Sequence, residues 1–398
     1  MIYLDHHATT PVDARVLEAM LPFFREQFGN AASRSHAFGH RAKEAVDAAR
    51  GEIASLVGGR AAEIVITSGA TESDNLAIKG VAHFRREDGR DRIITQRTEH
   101  KAVLDSATRL KRRGFDVVLL DVDAHGRIDL DALRDALNDR TALVSVMLTN
   151  NEVGTAQDLR AIGEAARAVG AWVHCDAAQG LGYVPLDVRT DPVDLISYTA
   201  HKIYGPKGCG ALWVRRDEPR VRLIAELDGG GHERGMRSGT LNVPGIVGFG
   251  AACALQRALG ADEAEQLGRL RARLWEALRT LPEIRLNGAP LDQPRHPGNL
   301  NVAFGYVDGE GLLLELAKTV AVSSGSACTS ASVEPSYVLN AMGVDPDWAT
   351  ASIRFGLGRD TTADEIDIVA EATVEAVTKL RASSPLWKAH QAGETIDW

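Results

Sequence analysis

Apolar residues in this chain recur in two rhythms, and the rhythms alternate. Between residues 64 and 214, short apolar runs are followed by longer stretches with helical spacing. Residues 64–67, 92–95, 117–120, 142–147, 171–175, 193–198 and 210–214 read as strands. Helices are predicted from about residue 71, from about residue 100, over 130–137 and over 159–169. Strands apolar throughout and separated by helices imply a mostly parallel sheet covered on both faces. Ligands of such sheets sit outside the carboxyl ends of the strands.

The flanks read differently. Residues 1–11 form an extended arm that ends at Thr9-Thr10-Pro11. A helix is predicted over 12–27, with Val16, Leu17, Met20 and Leu21 on one stripe, and a second over 38–56. A glycine-rich stretch at 229–235 precedes a helix from about residue 244 and a charged one over 262–281. Strands at 300–304 and 352–355, with helices at 310–318 and 363–381, suggest a smaller α+β unit. The expected division is a large domain of residues 12–260 and a small domain of residues 1–11 and 261–398.

Composition adds limits. The chain has 398 residues, 44% hydrophobic and 25% charged, which is ordinary for a globular protein of two domains. The net charge of −9 and the lack of a basic block argue against nucleic acid as a main partner. No apolar run reaches membrane length. The first residues lack a signal-peptide pattern, so a cytoplasmic location is expected. Cys175, Cys209, Cys253 and Cys328 form no CxxC and no zinc spacing. Three have apolar or strand neighbours and read as structural. His6 and His7 point apart on an extended arm, so no metal is assigned there.

Candidate chemistry collects at the strand ends. Lys202 sits between an apolar strand and the turn Gly205-Pro206. A lysine there can form a Schiff base with an aldehyde cofactor such as pyridoxal 5'-phosphate (PLP). A lone loop lysine is more often a plain surface residue. Thr67 to Asp74 joins a strand to a helix, with Gly69 allowing close backbone approach. The helix N-terminus offers unpaired N–H groups to a phosphate, with Ala70 and Thr71 at its start. The alternative is an ordinary capping box of Thr71 and Asp74. Asp176 follows a strand directly and can keep a pyridine nitrogen protonated; otherwise it caps a helix. Gln179 and Asn151 can reach the phenolic oxygen of such a ring. His100 can stack on it. Thr199 and His201 can add phosphate contacts beside Lys202. Arg354, on a late strand, can hold a carboxylate with two nitrogens, or serve a surface salt bridge. Cys328 lies in a run of small polar residues, 323–332, that reads as a mobile loop. A thiol there suits a nucleophile that must visit two places.

Taken together, these motifs resemble the NifS/IscS family of cysteine desulfurases, within the fold-type I PLP enzymes. The resemblance covers essentially the whole chain. It rests on Tyr3-Leu4-Asp5, on Ala8-Thr9-Thr10-Pro11, on Thr98-Glu99-His100-Lys101 and on Asn150-Asn151-Glu152-Val153-Gly154. It rests equally on His201-Lys202-Ile203-Tyr204-Gly205-Pro206 and on residues 229–240 and 323–336. The last segment is similar to the long-loop, IscS-like group of the class V superfamily.

The resemblance implies a large domain with a mostly parallel seven-stranded sheet, and PLP as the cofactor. It implies PLP on Lys202, His100 stacked on the ring, Asp176 at its nitrogen, and Asn151 and Gln179 near its hydroxyl. Ala70, Thr71, Thr199 and His201 would bind the phosphate, and Thr240 the phosphate of a neighbouring subunit in a homodimer. Arg354 and Asn151 would bind the substrate, L-cysteine. Lys202 would move the α-proton, and Cys328 would take the sulfur as a persulfide, releasing L-alanine. The persulfide would pass to an iron–sulfur scaffold of the IscU kind, where Cys328 can transiently ligate a [2Fe–2S] cluster, or to tRNA thiolation. No intrinsic metal is implied. The tail from residue 384 resembles a scaffold-docking tail. A selenocysteine lyase, another class V enzyme, or a non-enzymatic protein on the same fold are the competing readings; Cys328 argues against an aminotransferase.

Overall fold

The computed structural model describes residues 1–324 and 336–394. The arm contributes β1 (Ile2–Tyr3). Next come α1 (Ala14–Met20), α2 (Pro22–Arg25) and α3 (Ala37–Ser55). The single helix expected over 12–27 is therefore two, because Pro22 has no N–H to continue the first.

The large sheet is built from β2 (Ile64–Thr67), β3 (Arg92–Gln96), β4 (Asp116–Leu120), β5 (Thr141–Ser145), β6 (Trp172–Asp176), β7 (Leu195–Thr199) and β8 (Gly210–Val214). Helices α4 (Ala70–Arg86), α5 (Lys101–Arg112), α6 (Leu130–Ala136) and α7 (Leu159–Ala168) connect successive strands. The seven strands lie in the order β2-β8-β7-β6-β5-β3-β4. Of these seven strands, β8 runs antiparallel to both of its neighbours, and the other pairings are parallel. Strand alternation feeds two apolar layers. Ile94, Val144 and Ile196 face one, with Val46, Ile53 and Phe249. Ile93, Leu143 and Leu195 face the other, with Leu76, Ile78 and Val81. Each such side chain fully buried stabilises the fold by roughly 1.5–3 kcal/mol.

A single helix, α8 (Val243–Leu278), replaces the two expected over this stretch. It packs on α1 and α3 at one end and on α12 (Ala363–Ser383) at the other. Phe249 joins the large-domain core, and Leu267 and Leu274 join a second core with Leu300, Phe304, Phe355 and Val369. One window of α8 is long and apolar enough to span a membrane by composition, but over half of that window is buried in these cores.

The second core covers a sheet of β9 (Ile284–Leu286), β10 (Asn299–Phe304), β12 (Ser323–Ser324) and β13 (Ser352–Gly356), in the order β12-β13-β10-β9. Helix α9 (Gly309–Leu316) leads to β11 (Val320–Ala321), and α10 (Tyr337–Ala341) and α11 (Pro346–Thr350) precede β13. A last helix, α13 (Pro385–Gln391), follows α12. The arm pairs with this unit: β1 runs parallel to β11, and Asp5 bridges to Gly356. Arg359 ties the two halves. It pairs with Asp13 at 2.7 Å and Glu263 at 2.5 Å, and covers the Tyr204 ring at 4.1 Å.

Candidate active site

The carboxyl ends of the strands open on a cavity of about 530 Å³, within the usual size of a cofactor site. Its lining includes Ala70, Thr71, His100, Asn151, Asp176 and Gln179, and also Thr199, His201, Lys202 and Arg354. The expected site residues thus come together, with two exceptions. Thr240 is exposed and does not line its own chain's cavity. Cys328 lies outside the described residues. The chain on either side of it is defined. Ser323 pairs in register with Arg354, and Ser336 Oγ donates to Glu152 Oε2 at 2.5 Å.

The turn from β2 into α4 leaves the helix start open. Gly69 is the N-cap and offers no side-chain acceptor. Residue 210 must be glycine here, since a Cβ would fall 2.5 Å from Gly69 Cα. The capping box of Thr71 and Asp74 does not form. Asp74 is instead fully buried, and burial pushes its carboxyl well above the ordinary range, with Asp176 adding to the effect. Unclaimed N–H groups at a helix N-terminus suit a phosphate.

Lys202 follows β7 and is held by the arm. Its Nζ donates to the carbonyls of His7 and Ala8, the latter at 2.8 Å. The backbone around it is laced to the same arm. Thr10 N donates to His201 O at 3.0 Å, and Tyr204 N to Thr10 Oγ1 at 2.9 Å. His201 Nδ1 lies 3.2 Å from Thr9 Oγ1. Burial, then Lys202 and Lys207, push the His201 imidazole down to about 4, so it is neutral at pH 7.

Asp176 ends β6 and is buried. Its Oδ1 accepts from Ala178 N–H at 2.9 Å. Burial raises its carboxyl, while His100 and Lys202 pull it back. His100 caps α5, accepting from Ala102 N–H at 3.2 Å through Nδ1, which fixes the ring at the cavity wall. Asn150 and Asn151 divide their work. Asn150 is consumed by the loop, bonding Thr98 O, Glu152 N and Val153 N. Asn151 Oδ1 is buried with no partner among the described residues.

Gln179 is more constrained than expected: both ends of its amide engage His7. Arg354 lines the cavity, and its burial excludes the alternative of a surface salt bridge. It is 1% exposed, not at the surface, and both terminal nitrogens are taken. Nη1 donates to Asn151 O at 3.0 Å and Nη2 pairs with Asp5 Oδ1 at 2.7 Å.

A polar layer beneath Asp176 was not anticipated. His174 lies between Ser145 Oγ at 2.8 Å and Ser197 Oγ at 2.9 Å, with Asp74 at 3.6 Å. Burial pushes it down to about 3. Glu99, fully buried, accepts from Met147 N–H at 2.6 Å and Gln96 at 2.8 Å. The one sequence signal was a histidine inside an otherwise apolar strand. Cys175, Cys209 and Cys253 are buried thiols, as expected of structural cysteines.

The cavity fits PLP. It joins an uncapped helix start, a buried carboxylate, a lysine and an unpartnered amide oxygen in one pocket. The class-V aminotransferase family model matches residues 2–369. The chain belongs to that family. Members of the class-V family depend on PLP. A curated relative from Anaeromyxobacter sp. (strain Fw109-5), "Cysteine desulfurase IscS", is 59% identical over all of this chain and 98% of its own length. A solved "NifS-like protein" is 36% identical with TM-score 0.88, covering 95% of this chain and 100% of its own. A solved SspA in complex with cysteine is 35% identical with TM-score 0.78, covering 90% and 99%.

Proposed function

We propose that this class-V protein is a cysteine desulfurase, which moves the sulfur of L-cysteine to Cys328 and releases L-alanine. The observation that carries this reading is the cavity joining Lys202, Asp176, His100 and Arg354 at the strand ends. The name of the 59% identical relative and the cysteine bound to SspA support it.

When bound, PLP supplies an electron sink for carbanion chemistry at the substrate Cα. Lys202 would hold it, Asp176 would face its ring nitrogen and His100 its ring face. Asn151 and Gln179 would meet its hydroxyl. Ala70, Thr71, Thr199 and His201 would take the phosphate, with Thr240 of the partner subunit. Arg354 and Asn151 orient the substrate, Arg354 through the α-carboxylate. Lys202 Nζ takes the proton from Cα. Cys328 thiolate attacks the substrate sulfur, so an S–S bond forms as the C–S bond breaks. The electron pair of that bond goes to the substrate carbon, which is protonated. Cysteine and one thiol become alanine and one persulfide, with no net oxidation.

The wider reading follows from the same residues. We place the domain division at residue 260, inside α8, with the arm of residues 1–11 belonging to the small unit. A homodimer is supported by an exposed apolar patch of Leu17, Leu21, Phe24, Phe28 and Phe38. A cytoplasmic iron–sulfur scaffold protein is the proposed acceptor of the persulfide, with Cys328 touching the [2Fe–2S] cargo only in that complex; tRNA thiolation is a second outlet. The test is incubation of the purified protein with L-cysteine, followed by alanine assay and mass spectrometry of Cys328. Alanine with a 32-Da gain at Cys328, and neither in Cys328→Ala, is expected. Full alanine turnover by Cys328→Ala would overturn the reading.

A further inference from the structure

The wall beside Lys202 carries an imidazole that the chemistry above does not use. His7 is 4% exposed and borders both the large cavity and a small one of about 10 Å³ behind it. Its hydrogen bonds fix its tautomer. A main-chain carbonyl only accepts, so Gln179 Nε2 is the atom 2.8 Å from His7 O. Gln179 Oε1 then faces His7 Nδ1 at 3.3 Å. An amide oxygen only accepts, so Nδ1 carries the proton. His7 Nε2 is buried with no partner among the described residues.

The ring is held from behind. His296 stands edge-on to it, with centroids 4.4 Å apart and planes at 90°. His296 Nδ1 accepts from Gly298 N–H at 3.1 Å, and Tyr183 packs on it at 5.3 Å. Burial, then His296, Arg354 and Lys202, keep His7 well below the ordinary histidine range. One residue thus grips the Gln179 amide at both ends while its carbonyl also accepts from Lys202. Only one of the two Gln179 N–H groups is used on that carbonyl.

We propose that His7 is a positioning residue: its Nδ1–H and its carbonyl lock the Gln179 amide so that the second N–H meets the ring oxygen of PLP. This rests on the cofactor placement given above. A donor at that oxygen stabilises its anion and draws charge from the neighbouring nitrogen. The absorbance of the lysine-bound cofactor then titrates at lower pH than it would without the donor.

The experiment is a spectrophotometric pH titration of the holoenzyme without substrate. Gln179→Leu and His7→Leu are each expected to raise the midpoint, by roughly one pH unit. The double variant should go no further than either single one. His7→Asn, whose side-chain N–H stands in place of Nδ1–H, should restore the wild-type midpoint. Should His7→Leu not fold, His7→Gln, with its donor one methylene too far, takes its place. A shift in Gln179→Leu with none in the His7 variant overturns the His7 inference alone. Equal shifts in His7→Leu and His7→Asn do so too, because packing then explains them. No shift in Gln179→Leu overturns the cofactor placement along with it.

Discussion

Arg354 and Asp5 meet at 2.7 Å, so the guanidinium proposed to receive the substrate carboxylate already holds one of the protein's own. Asp5 Oδ1 also accepts from Ser323 Oγ at 2.8 Å. Removing the carboxylate charge frees Arg354 for substrate but loses a charge-assisted bond. Asp5→Asn is expected to lower KM for cysteine and to cost about 1–3 kcal/mol of stability. Arg354→Lys cannot serve two acceptors in a fixed fork and should raise KM roughly tenfold. Steady-state kinetics and melting curves measured side by side check both.

Asp176 is a cavity carboxylate that His100 and Lys202 pull toward ionisation. Asp176→Asn keeps the shape and the bond from Ala178 but removes the charge. Turnover is expected to fall by roughly two to three orders of magnitude. Alanine release, normalised to bound cofactor measured by absorbance, reports the loss.

Burying a neutral histidine makes the protein acid-sensitive. An unfolded histidine titrates near 6.5, and His174 is held at about 3. Between those values the unfolded chain binds more protons, so acid favours unfolding. The contribution is full above pH 6.5 and lost as pH falls toward 3. Glu152, held up at about 7, acts in the opposite sense: its contribution is full below 4.5 and lost as pH rises through 7. Between pH 6.5 and 4 the Tm of His174→Gln is expected to gain on that of the wild-type protein, which alone carries the His174 penalty. His201, partly buried, and His296, fully buried, are also held low and keep their own share of the acid sensitivity.

Phe24 is 58% exposed and Phe28 is 65% exposed, beside Leu17 and Leu21. If this patch is the homodimer contact, Phe24→Asp with Phe28→Asp should halve the mass seen by light scattering. A wild-type protein already monomeric at micromolar concentration would count against the dimer.

Arg359 pairs with carboxylates from both ends of the fold, Asp13 and Glu263. Glu263 is shielded from water and would keep only the Tyr183 hydroxyl, so losing the cation leaves one buried charge without a counter-ion, whereas Asp13 retains Arg15. Arg359→Ala is expected to cost about 3–5 kcal/mol in denaturant unfolding. Arg359→Met, which restores volume but not charge, should recover little of that.

The strand rhythm was readable because the strands of the large sheet other than the edge strand β4 are buried on both faces, leaving unbroken apolar runs. Boundaries failed where one residue or one contact decides. Pro22 splits a helix that the apolar stripe alone would continue. Helix α8 stays whole because its two halves pack on different cores, a long-range fact absent from local spacing. The strand ends carried Lys202, Asp176 and Thr71 in plain view. The arm's role was hidden, since Asp5 and His7 act on residues between Gln179 and Arg354, far away in sequence. Arg354 was legible as a carboxylate holder, but nothing nearby in sequence announces that Asp5 and the Asn151 carbonyl enclose it. The His174 layer was hidden for the same reason: its partners come from β5, β7 and α4.

The arm also has a consequence for the order of assembly. Residues 5–13 are made early, yet their partners are His201, Tyr204, Gly356 and Arg359. A growing chain can complete the large sheet after residue 214 and still lack a settled seat for Lys202. That seat closes only when β13 arrives and the arm is drawn across. Binding of the cofactor is therefore expected to follow release of the nearly full-length chain, and nascent chains halted before residue 352 should retain it poorly.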